Sequence, residues 1–584
     1  MTCNLLIGGA AGQGIETTAA ILERILKRAG AHVFSHRDLM SRIRGGHNFT
    51  QVRFGNAPVR CHADRLNGLV AFTRETLDLH RDRVAEDGFL LVDAALLPAE
   101  EMAGNRDPRL LPLPLSAIAK ELGNPKVEGN VAVGALLRLF GVSRDLADGV
   151  LPLYLKESLV PINQQAIDRG YALAEPRFSC PPGDAADAML LSGNRALALG
   201  AIAAGVKFYS AYPMSPSTSI LEYLASKGVE AGIVVEQAED EIAAVNMALG
   251  ASFAGVRAMT GTSGGGFCLM VEALGFAGIA EIPLVVADIQ RPGPATGLPT
   301  RTEQSDLKFV LSCAQGEFPR MVIALRHHAD AFRQAIRAFD LADRYQLPVI
   351  LLGDQYLADA TATVPLFDPS EIPADPRPIV DDGRDEANDP DGEGAAVGEA
   401  GGSGYLRYRF TPDGVSPRRI PARSPGFVAI DSDEHDESGR ITESADMRTR
   451  MVDKRMKKLE GLRQELQEPE FLGEDGCGTL LLGWGSLYGP LAEAVSILNA
   501  DPDRTDSYGA LVFGDLWPLP TRVLLARAAD ARRLVDVEQN ATAQLADLVR
   551  QETGLACDAR ILKYDGRQLS GEEIASRIRK EARP

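Results

Sequence analysis

The chain has 584 residues, a formal net charge of -19, and 45% hydrophobic and 24% charged residues, the composition of a globular protein with several domains. The negative charge argues against nucleic acid or an anionic membrane surface as the main partner. No run approaches the roughly 20 apolar residues of a membrane span, and the first residues, MTCNLLIGGAAGQG, lack the basic start of a signal peptide. The seven cysteines have no CxxC spacing, so we expect a cytoplasmic protein with no metal or iron–sulfur site on this chain alone.

The first stretch predicts a strand over residues 4–7, a glycine turn over 8–14 and an amphipathic helix over 15–29. A glycine turn between a strand and a helix can place backbone N–H groups against a phosphate, which makes Gly12 and Gly14 candidate anion contacts. Tight packing of the strand against the helix explains the same glycines equally well.

A basic loop follows, in which Arg42, Arg44 and His47 flank a glycine pair. It is a candidate anion site, although a solvated basic loop accounts for the residues nearly as well. Further strand and helix patterns alternate up to residue 175, so residues 1–175 predict one α/β domain. The Pro-rich segment 176–187 is a predicted linker.

A second α/β domain is predicted over residues 188–365, and its central stretch is 234–266. This stretch predicts a buried strand end at Val234, a buried apolar helix over 242–252, a strand over 256–260 and a tight glycine turn over 261–266. Four carboxylates precede the helix, which is more than capping needs, so we expect at least one to face a cofactor or a partner subunit. They are Glu236, Glu239, Asp240 and Glu241.

A loop with Arg291 follows the apolar strand predicted at 282–289. Open α/β sheets bind ligands at the carboxyl ends of their strands, and an Arg at that position suits a carboxylate. A structural ion pair between Arg291 and Glu303 is the alternative.

The remaining chain predicts an acidic flexible insertion at 366–404, a connecting segment with a charged helix at 405–470, and a third α/β domain at 471–584. In the connecting segment, we expect the polar run from Glu434 to Glu437 to face solvent and to bind no metal.

Several segments, in one order, resemble the alpha subunit of the 2-oxoacid:ferredoxin oxidoreductases, with the gamma subunit fused at its N-terminus, and the 2-oxoglutarate type most of all. These segments are GAAGQG, RIRGGHN, YPMSPST, EDEIAAVNMALGASFAG, TGTSGGGF, RPGPATGLPTRTEQSDL, YRFTPDGVSPR and SDEHDESGRITE. The resemblance implies three α/β domains: a gamma-type Rossmann-like domain, a pyrimidine-binding domain for thiamine diphosphate, and a transketolase C-terminal-like domain.

The resemblance also implies the chemistry and the partners. Thiamine diphosphate would be shared with a separate beta subunit, which would carry Mg²⁺ and a [4Fe-4S] cluster. CoA would be the co-substrate and ferredoxin the electron acceptor, in an assembly of two alpha–beta pairs. The reaction would convert 2-oxoglutarate to succinyl-CoA and CO₂, reversibly in principle, and the chain alone would be inactive.

By resemblance, Glu241 matches the glutamate that hydrogen-bonds the aminopyrimidine ring, with Glu239 as the runner-up and Glu236 behind it. A carboxyl group in an apolar pocket tends to keep its proton and can share it with a ring nitrogen. The glycine segment that includes Gly264 and Gly265 would contact the cofactor.

The substrate contacts implied by the resemblance are Arg291 and Thr300 for the carboxylate of the 2-oxoacid. Ser215 stands where many relatives have Thr in a YPxTP turn, so its role as a ligand is weaker. A second substrate carboxylate needs another cation, for which Arg42, Arg44, His47 or a beta-subunit residue are candidates. CoA could contact the basic loop or the turn that contains Gly12 and Gly14.

Two alternatives remain open from the sequence. One is a broad 2-oxoacid enzyme that acts on pyruvate or 2-oxobutyrate. The other is a non-catalytic partner subunit that binds CoA or a nucleotide through its N-terminal glycine turn, although such a module would not require Glu241, Arg291 and Thr300 together.

Overall fold

The computed structural model describes residues 2–41, 46–98, 100–101, 107–180, 183–368, 370, 405–423 and 427–581. Most of the predicted acidic insertion at 366–404 therefore lies outside the described residues, as do Arg42 and Arg44. Within the described residues, no helix is both long enough and apolar enough to cross a membrane.

Strands and helices alternate along the described chain, as the periodicity predicts for an α/β protein. The strands are β1 (Thr2–Ala10), β2 (His32–Asp38), β3 (His47–Gly55), β4 (Leu66–Ala71), β5 (Val84–Asp93), β6 (Leu110–Leu113), β7 (Met189–Ser192), β8 (Phe208–Ala211), β9 (Val234–Gln237), β10 (Ala258–Thr262), β11 (Leu284–Gln290), β12 (Met321–Ala324), β13 (Pro348–Asp354), β14 (Thr361–Val364), β15 (Glu470–Gly473), β16 (Thr479–Trp484), β17 (Tyr508–Phe513), β18 (Asp515–Trp517), β19 (Arg533–Glu538) and β20 (Ala559–Leu562). The α-helices are α1 (Ile15–Arg28), α2 (Arg74–His80), α3 (Leu115–Glu121), α4 (Glu128–Leu139), α5 (Leu151–Tyr154), α6 (Val160–Leu173), α7 (Gly193–Ala203), α8 (Thr218–Ala231), α9 (Glu241–Phe253), α10 (Gly264–Ile279), α11 (Leu307–Leu311), α12 (His328–Tyr345), α13 (Gln355–Asp359), α14 (Ala445–Gln464), α15 (Tyr488–Asn499), α16 (Arg522–Asp530), α17 (Gln544–Thr553) and α18 (Gly571–Glu581).

The first sheet has eight strands in the order β6-β5-β4-β1-β3-β2-β14-β7. Strand β1 lies between β3 and β4, and its residues Leu5, Leu6 and Ile7 are fully buried, which explains its uninterrupted apolar sequence. The predicted glycine turn is shorter than expected, because β1 continues through Gly8 and Gly9 to Ala10 and pairs with β3 over that length. A side chain at Gly8 would meet Thr76, so close packing explains this glycine.

The second sheet has seven strands in the order β18-β12-β13-β11-β10-β8-β9. The pairs from β12 to β9 are parallel, so the carboxyl ends of β8, β10 and β11 meet at one edge. The segments that leave this edge contain Ser215 and Arg291 in loops and Gly264 at the start of α10. Ligand sites of open α/β sheets lie at such an edge.

The third sheet has five strands in the order β15-β17-β16-β19-β20, with β15 antiparallel to β17 and the other pairs parallel. Two pairings cross the limits that the sequence predicts for the domains. Strands β7 and β14 pair with each other and extend the first sheet at β2, and β18 pairs with β12 at the edge of the second sheet. Each addition covers an otherwise open sheet edge.

Buried charges attach the connecting segment to the second sheet. The Glu281 carboxylate lies 2.7 Å from Lys454 Nζ and 2.5 Å from Lys458 Nζ, and Arg407 donates a hydrogen bond to its carbonyl oxygen. Burial opposes ionisation of Glu281, but Lys458 and Lys454 outweigh it and hold the pKa of this carboxyl well below its usual range. Burial also lowers the pKa of Lys458 to about 7.

The expectation that the polar run from Glu434 to Glu437 faces solvent is wrong. His435 is fully buried with its ring centroid 3.9 Å from that of Tyr408. Glu434 pairs with Arg455 at 2.8 Å, because the charged helix α14 packs over this segment. The run therefore anchors α14.

Candidate functional site

Glu241 is the first residue of α9, and Asp240 caps this helix by accepting a hydrogen bond from the Ala243 amide. The Glu241 side chain is only 4% exposed, and its Oε1 has no hydrogen-bond partner among the described residues. Its carboxyl lies against Gly266, where an added Cβ would overlap Glu241 Oε1 and Thr262 Oγ1. A buried carboxyl with an unpaired oxygen is costly, so its position fits a ligand that supplies the missing partner.

The other three carboxylates are exposed, namely Glu236, Glu239 and Asp240. The prediction of a buried strand end at Val234 is wrong, since β9 is the last strand of its sheet and Val234 is 59% exposed. The predicted buried helix is also buried on one face only.

Helices α9 and α10 leave a group of large apolar side chains at the surface, which we call the α9–α10 face. It consists of Ile242, Met247 and Leu269, which are 51%, 42% and 49% exposed. Exposed large apolar side chains of this kind are typical of a protein–protein contact.

The expected tight turn at residues 261–266 is instead the end of β10 followed directly by α10, which begins at Gly264. A Cβ at Gly264 would overlap Asp306 Oδ2, whereas Gly265 is exposed and has only Ala295 O nearby, at 3.7 Å. A helix N-terminus without side chains presents free N–H groups to a ligand. The missing side chain thus makes room for Asp306 at Gly264, and it leaves the backbone open to approach at Gly265.

Arg291 leaves the carboxyl end of β11, and its Nη1 donates a hydrogen bond of 2.7 Å to the Ser215 carbonyl oxygen. Burial lowers the pKa of this guanidinium. The alternative ion pair with Glu303 is not present among the described residues, where Arg291 has no carboxylate partner. The structure thus brings Arg291 and Ser215 together, with Ser215 exposed and joined to Pro216 by a cis peptide bond.

Thr300 lies at the other end of the same loop, which is closed by a hydrogen bond from the Leu298 amide to the Pro292 carbonyl. Its hydroxyl donates to the Leu39 carbonyl at 2.7 Å, so it contacts the segment that follows β2 rather than Arg291. Thr300 lines a cavity of about 500 Å³ together with His47. We call this cavity the junction pocket, and Arg291 is not among its described lining residues.

Gly12 and Gly14 lie in an exposed turn with φ of 95° and 77°, values that glycine adopts without strain. Within the described residues they do not line the junction pocket, so the structure does not join them to His47. Arg42 and Arg44 lie outside the described residues.

Two buried carboxyls near Gly264 were not among the residues that the sequence predicted. Asp288, at the end of β11, is fully buried with both oxygens unpaired among the described residues, and burial followed by the charge of Asp306 raises its pKa. Burial raises the pKa of Asp306 to about 7, with Glu303 adding to the effect. An acid inside an otherwise apolar strand was the available sequence signal for Asp288.

Two family models match separate parts of this chain. Residues 199–454 match the family model described as pyruvate flavodoxin/ferredoxin oxidoreductase, thiamine diP-binding, and residues 4–173 match pyruvate ferredoxin/flavodoxin oxidoreductase. A 2-oxoacid:ferredoxin oxidoreductase subunit alpha from Sulfolobus sp is 32% identical over 98% of this chain and 96% of its own length. A 2-oxoglutarate synthase subunit KorA from Methanothermobacter thermautotrophicus is 31% identical over 67% of this chain and 98% of its own length.

A solved structure is similar over nearly the whole chain. It is a 2-oxoglutarate:ferredoxin oxidoreductase from Magnetococcus marinus with 2-oxoglutarate, coenzyme A and succinyl-CoA bound, with a TM-score of 0.89, 30% identity and coverage of 99% of both chains. The expected α/β fold class is confirmed, and so is the expected family. This chain belongs to the 2-oxoacid:ferredoxin oxidoreductases, a family of thiamine diphosphate-dependent enzymes, as an alpha subunit.

Proposed function

We propose that the chain is the alpha subunit of a 2-oxoglutarate:ferredoxin oxidoreductase, which converts 2-oxoglutarate, CoA and oxidised ferredoxin to succinyl-CoA, CO₂ and reduced ferredoxin. The catalytic role of this chain is supported by the buried Glu241 carboxyl, whose Oε1 lacks a hydrogen-bond partner among the described residues and lies against Gly266. The substrate part is supported by the similarity to a protein that binds 2-oxoglutarate and succinyl-CoA.

When bound, thiamine diphosphate supplies the carbanion that adds to a 2-oxoacid and allows its decarboxylation. Glu241 would direct its unpaired oxygen at the pyrimidine ring of the cofactor and exchange a proton with a ring nitrogen. Gly265 would let the cofactor approach the start of α10 closely, and Gly264 beside it makes room for Asp306. Arg291 would bind the substrate carboxylate, and the Ser215 and Thr300 hydroxyls would orient the substrate.

The proposed complex contains a beta subunit that carries Mg²⁺ and a [4Fe-4S] cluster, and it passes electrons to ferredoxin. The α9–α10 face supports a subunit contact beside Glu241, because three large apolar side chains there are about half exposed in this chain. Two alpha–beta pairs would form the assembly, and the chain alone would be inactive.

The substrate assignment is tested by anaerobic reduction of methyl viologen with this chain and its beta subunit, with and without CoA. CoA-dependent reduction that prefers 2-oxoglutarate over pyruvate and 2-oxobutyrate would support the proposal. A preference for the monocarboxylic acids would replace it with the broad 2-oxoacid enzyme. If a cluster-loaded complex reduces no methyl viologen, the remaining hypothesis is that the chain is a non-catalytic partner subunit.

Replacing Arg291 with Ala is expected to raise the KM for the 2-oxoacid about tenfold while kcat changes less, because a charge-assisted hydrogen bond contributes about 1.5–3 kcal/mol. Steady-state kinetics of the alpha–beta complex would measure this effect. The KM of Arg291→Lys should lie between that of the wild type and that of Arg291→Ala, because Lys keeps the charge but lacks the paired N–H donors of the guanidinium. An unchanged KM in Arg291→Ala would contradict the carboxylate role.

Replacing Gly266 with Ala is expected to lower kcat about tenfold, because the added Cβ must displace the Glu241 carboxyl or the Thr262 hydroxyl. The matched control is Gly275→Ala in the same helix, where the added Cβ would meet Ala314 Cβ at an ordinary contact distance of 3.4 Å. Equal kcat values for the two variants would show that the fit between Gly266 and Glu241 does not affect turnover.

A further inference from the structure

The junction pocket lies where the three sheet units meet. Its wall combines residues of β2, β3 and α2, the loop residues Thr300 to Thr302, and the segment from Lys563 to Gln568. The Thr302 amide donates to the Gly566 carbonyl at 3.3 Å, and Arg567 pairs with Asp38 at 2.8 Å. These contacts join the walls of the pocket to one another, as in ligand sites that are largely preformed.

One cation in this pocket differs from the others. Arg301 and Arg567 both pair with Asp38, and Lys563 pairs with Glu573 at 2.6 Å. Arg83 is half-buried and donates only to neutral acceptors, and the described residues include no ion pair for it. The three acceptors are Asp64 O at 3.1 Å, Gln51 Oε1 at 3.3 Å and His80 Nδ1 at 3.2 Å.

The hydrogen bonds around Arg83 form a chain with one direction. Because a guanidinium can only donate, His80 Nδ1 accepts from Arg83, and a neutral His80 therefore carries its proton on Nε2. That proton points to His47 Nε2 at 2.8 Å, so His47 carries its own proton on Nδ1 and donates to Thr76 Oγ1 at 3.3 Å. Burial followed by Arg83 lowers the pKa of His80 to about 4, which keeps it neutral at pH 7.

A guanidinium has five N–H groups, and three are used here, so two remain for a ligand. Asp64, Glu572 and Asp38 lie near enough to act on the charge of Arg83, but among the described residues none of them forms an ion pair with it. A planar carboxylate matches two N–H groups of one guanidinium. Arg83 therefore has the charge and the hydrogen-bonding capacity for one carboxylate.

We infer that Arg83, held by His80 and Gln51, binds the second carboxylate of a dicarboxylic 2-oxoacid and so selects 2-oxoglutarate over monocarboxylic acids. The inference rests on the proposed function, since Thr300, the proposed substrate contact, lines the same pocket. One unpaired cation matches one carboxylate. The multiple phosphate charges of CoA fit less well, because Asp38, Asp64 and Glu75 also line the wall.

The test compares Arg83→Met with the wild-type alpha–beta complex. We expect kcat/KM for 2-oxoglutarate to fall about 10–100-fold, as for loss of a charge-assisted bidentate contact. The kcat/KM for 2-oxobutyrate and the KM for CoA should stay within about twofold. The control is Arg74→Met, because Arg74 also lies on the first sheet's side of the pocket, at the start of α2, but is not among the described lining residues and pairs with Asp78 at 2.9 Å. This variant should leave all three constants unchanged.

Three results would overturn the inference. The first is an equal fall of kcat/KM for 2-oxoglutarate and for 2-oxobutyrate. The second is a rise in the KM for CoA alone, and the third is no change in any of the three constants. A second measurement is used if the Arg83→Met complex does not assemble. Glutarate should then inhibit the wild-type complex more strongly than butyrate does. Equal inhibition by the two acids would overturn the inference of a second carboxylate site. Wild-type complex that does not use 2-oxoglutarate would instead remove the proposed function, so the two failures are distinguishable.

Discussion

Replacing Glu241 with Gln is expected to lower 2-oxoacid-dependent turnover of the alpha–beta complex by about 10²–10⁴-fold, the usual contribution of a positioned acid–base group. The amide keeps the size of the side chain but cannot exchange a proton with the pyrimidine ring. Because Glu241 starts α9 and Asp240 provides the cap, the helix and the assembly should remain intact. Methyl viologen reduction would measure turnover, and gel filtration of the same preparation would measure assembly.

The matched control is Glu239→Gln. This carboxylate stands two residues earlier and is exposed, so its replacement should leave turnover close to that of the wild type. Loss of turnover in Glu239→Gln with activity retained in Glu241→Gln would assign the catalytic role to the runner-up instead.

Replacing Glu281 with Gln is expected to lower the stability of the fold strongly. The change leaves Lys454 and Lys458 buried without their carboxylate, and breaking a buried ion pair in this way typically costs about 3–5 kcal/mol. The thermal midpoint of the unit that contains the second sheet and α14 should fall clearly. Differential scanning calorimetry would measure it.

An exposed ion pair provides the comparison for Glu281. Glu230 lies 3.1 Å from Lys227 on the surface of α8, and Glu230→Gln should leave the midpoint unchanged within error. Equal midpoints for Glu281→Gln and the wild type would show that the buried cluster does not hold α14 in place.

Local sequence was sufficient to predict the start of the helix at Glu241, whereas the choice of Glu241 among the four carboxylates came from the family resemblance. A short apolar strand, an acidic cluster and an apolar helix are contiguous in the chain, so the pattern placed the start of the helix within one residue of its observed position at Glu241. The alternation of strands and helices likewise predicted the fold class, because the periodicity of buried side chains is a local property.

Features that depend on distant partners could not be predicted in this way. Val234 has the sequence of a buried strand, but β9 is the last strand of its sheet, and sheet order does not follow from the strand itself. The pairing of β14 with β2 joins residues more than 300 positions apart. The unpaired charge of Arg83 became visible only once its neutral acceptors and the ion pairs of Arg301 and Arg567 were known.

The proposed activation of the thiamine cofactor by Glu241 can be measured as the exchange rate of the C2 proton of bound thiamine diphosphate. Wild-type and Glu241→Gln complexes with equal cofactor occupancy would be mixed with D₂O, quenched with acid and analysed by NMR. We predict exchange at least about 100-fold slower in Glu241→Gln, in line with the loss of an acid–base group. Equal exchange rates at equal occupancy would contradict the role of Glu241.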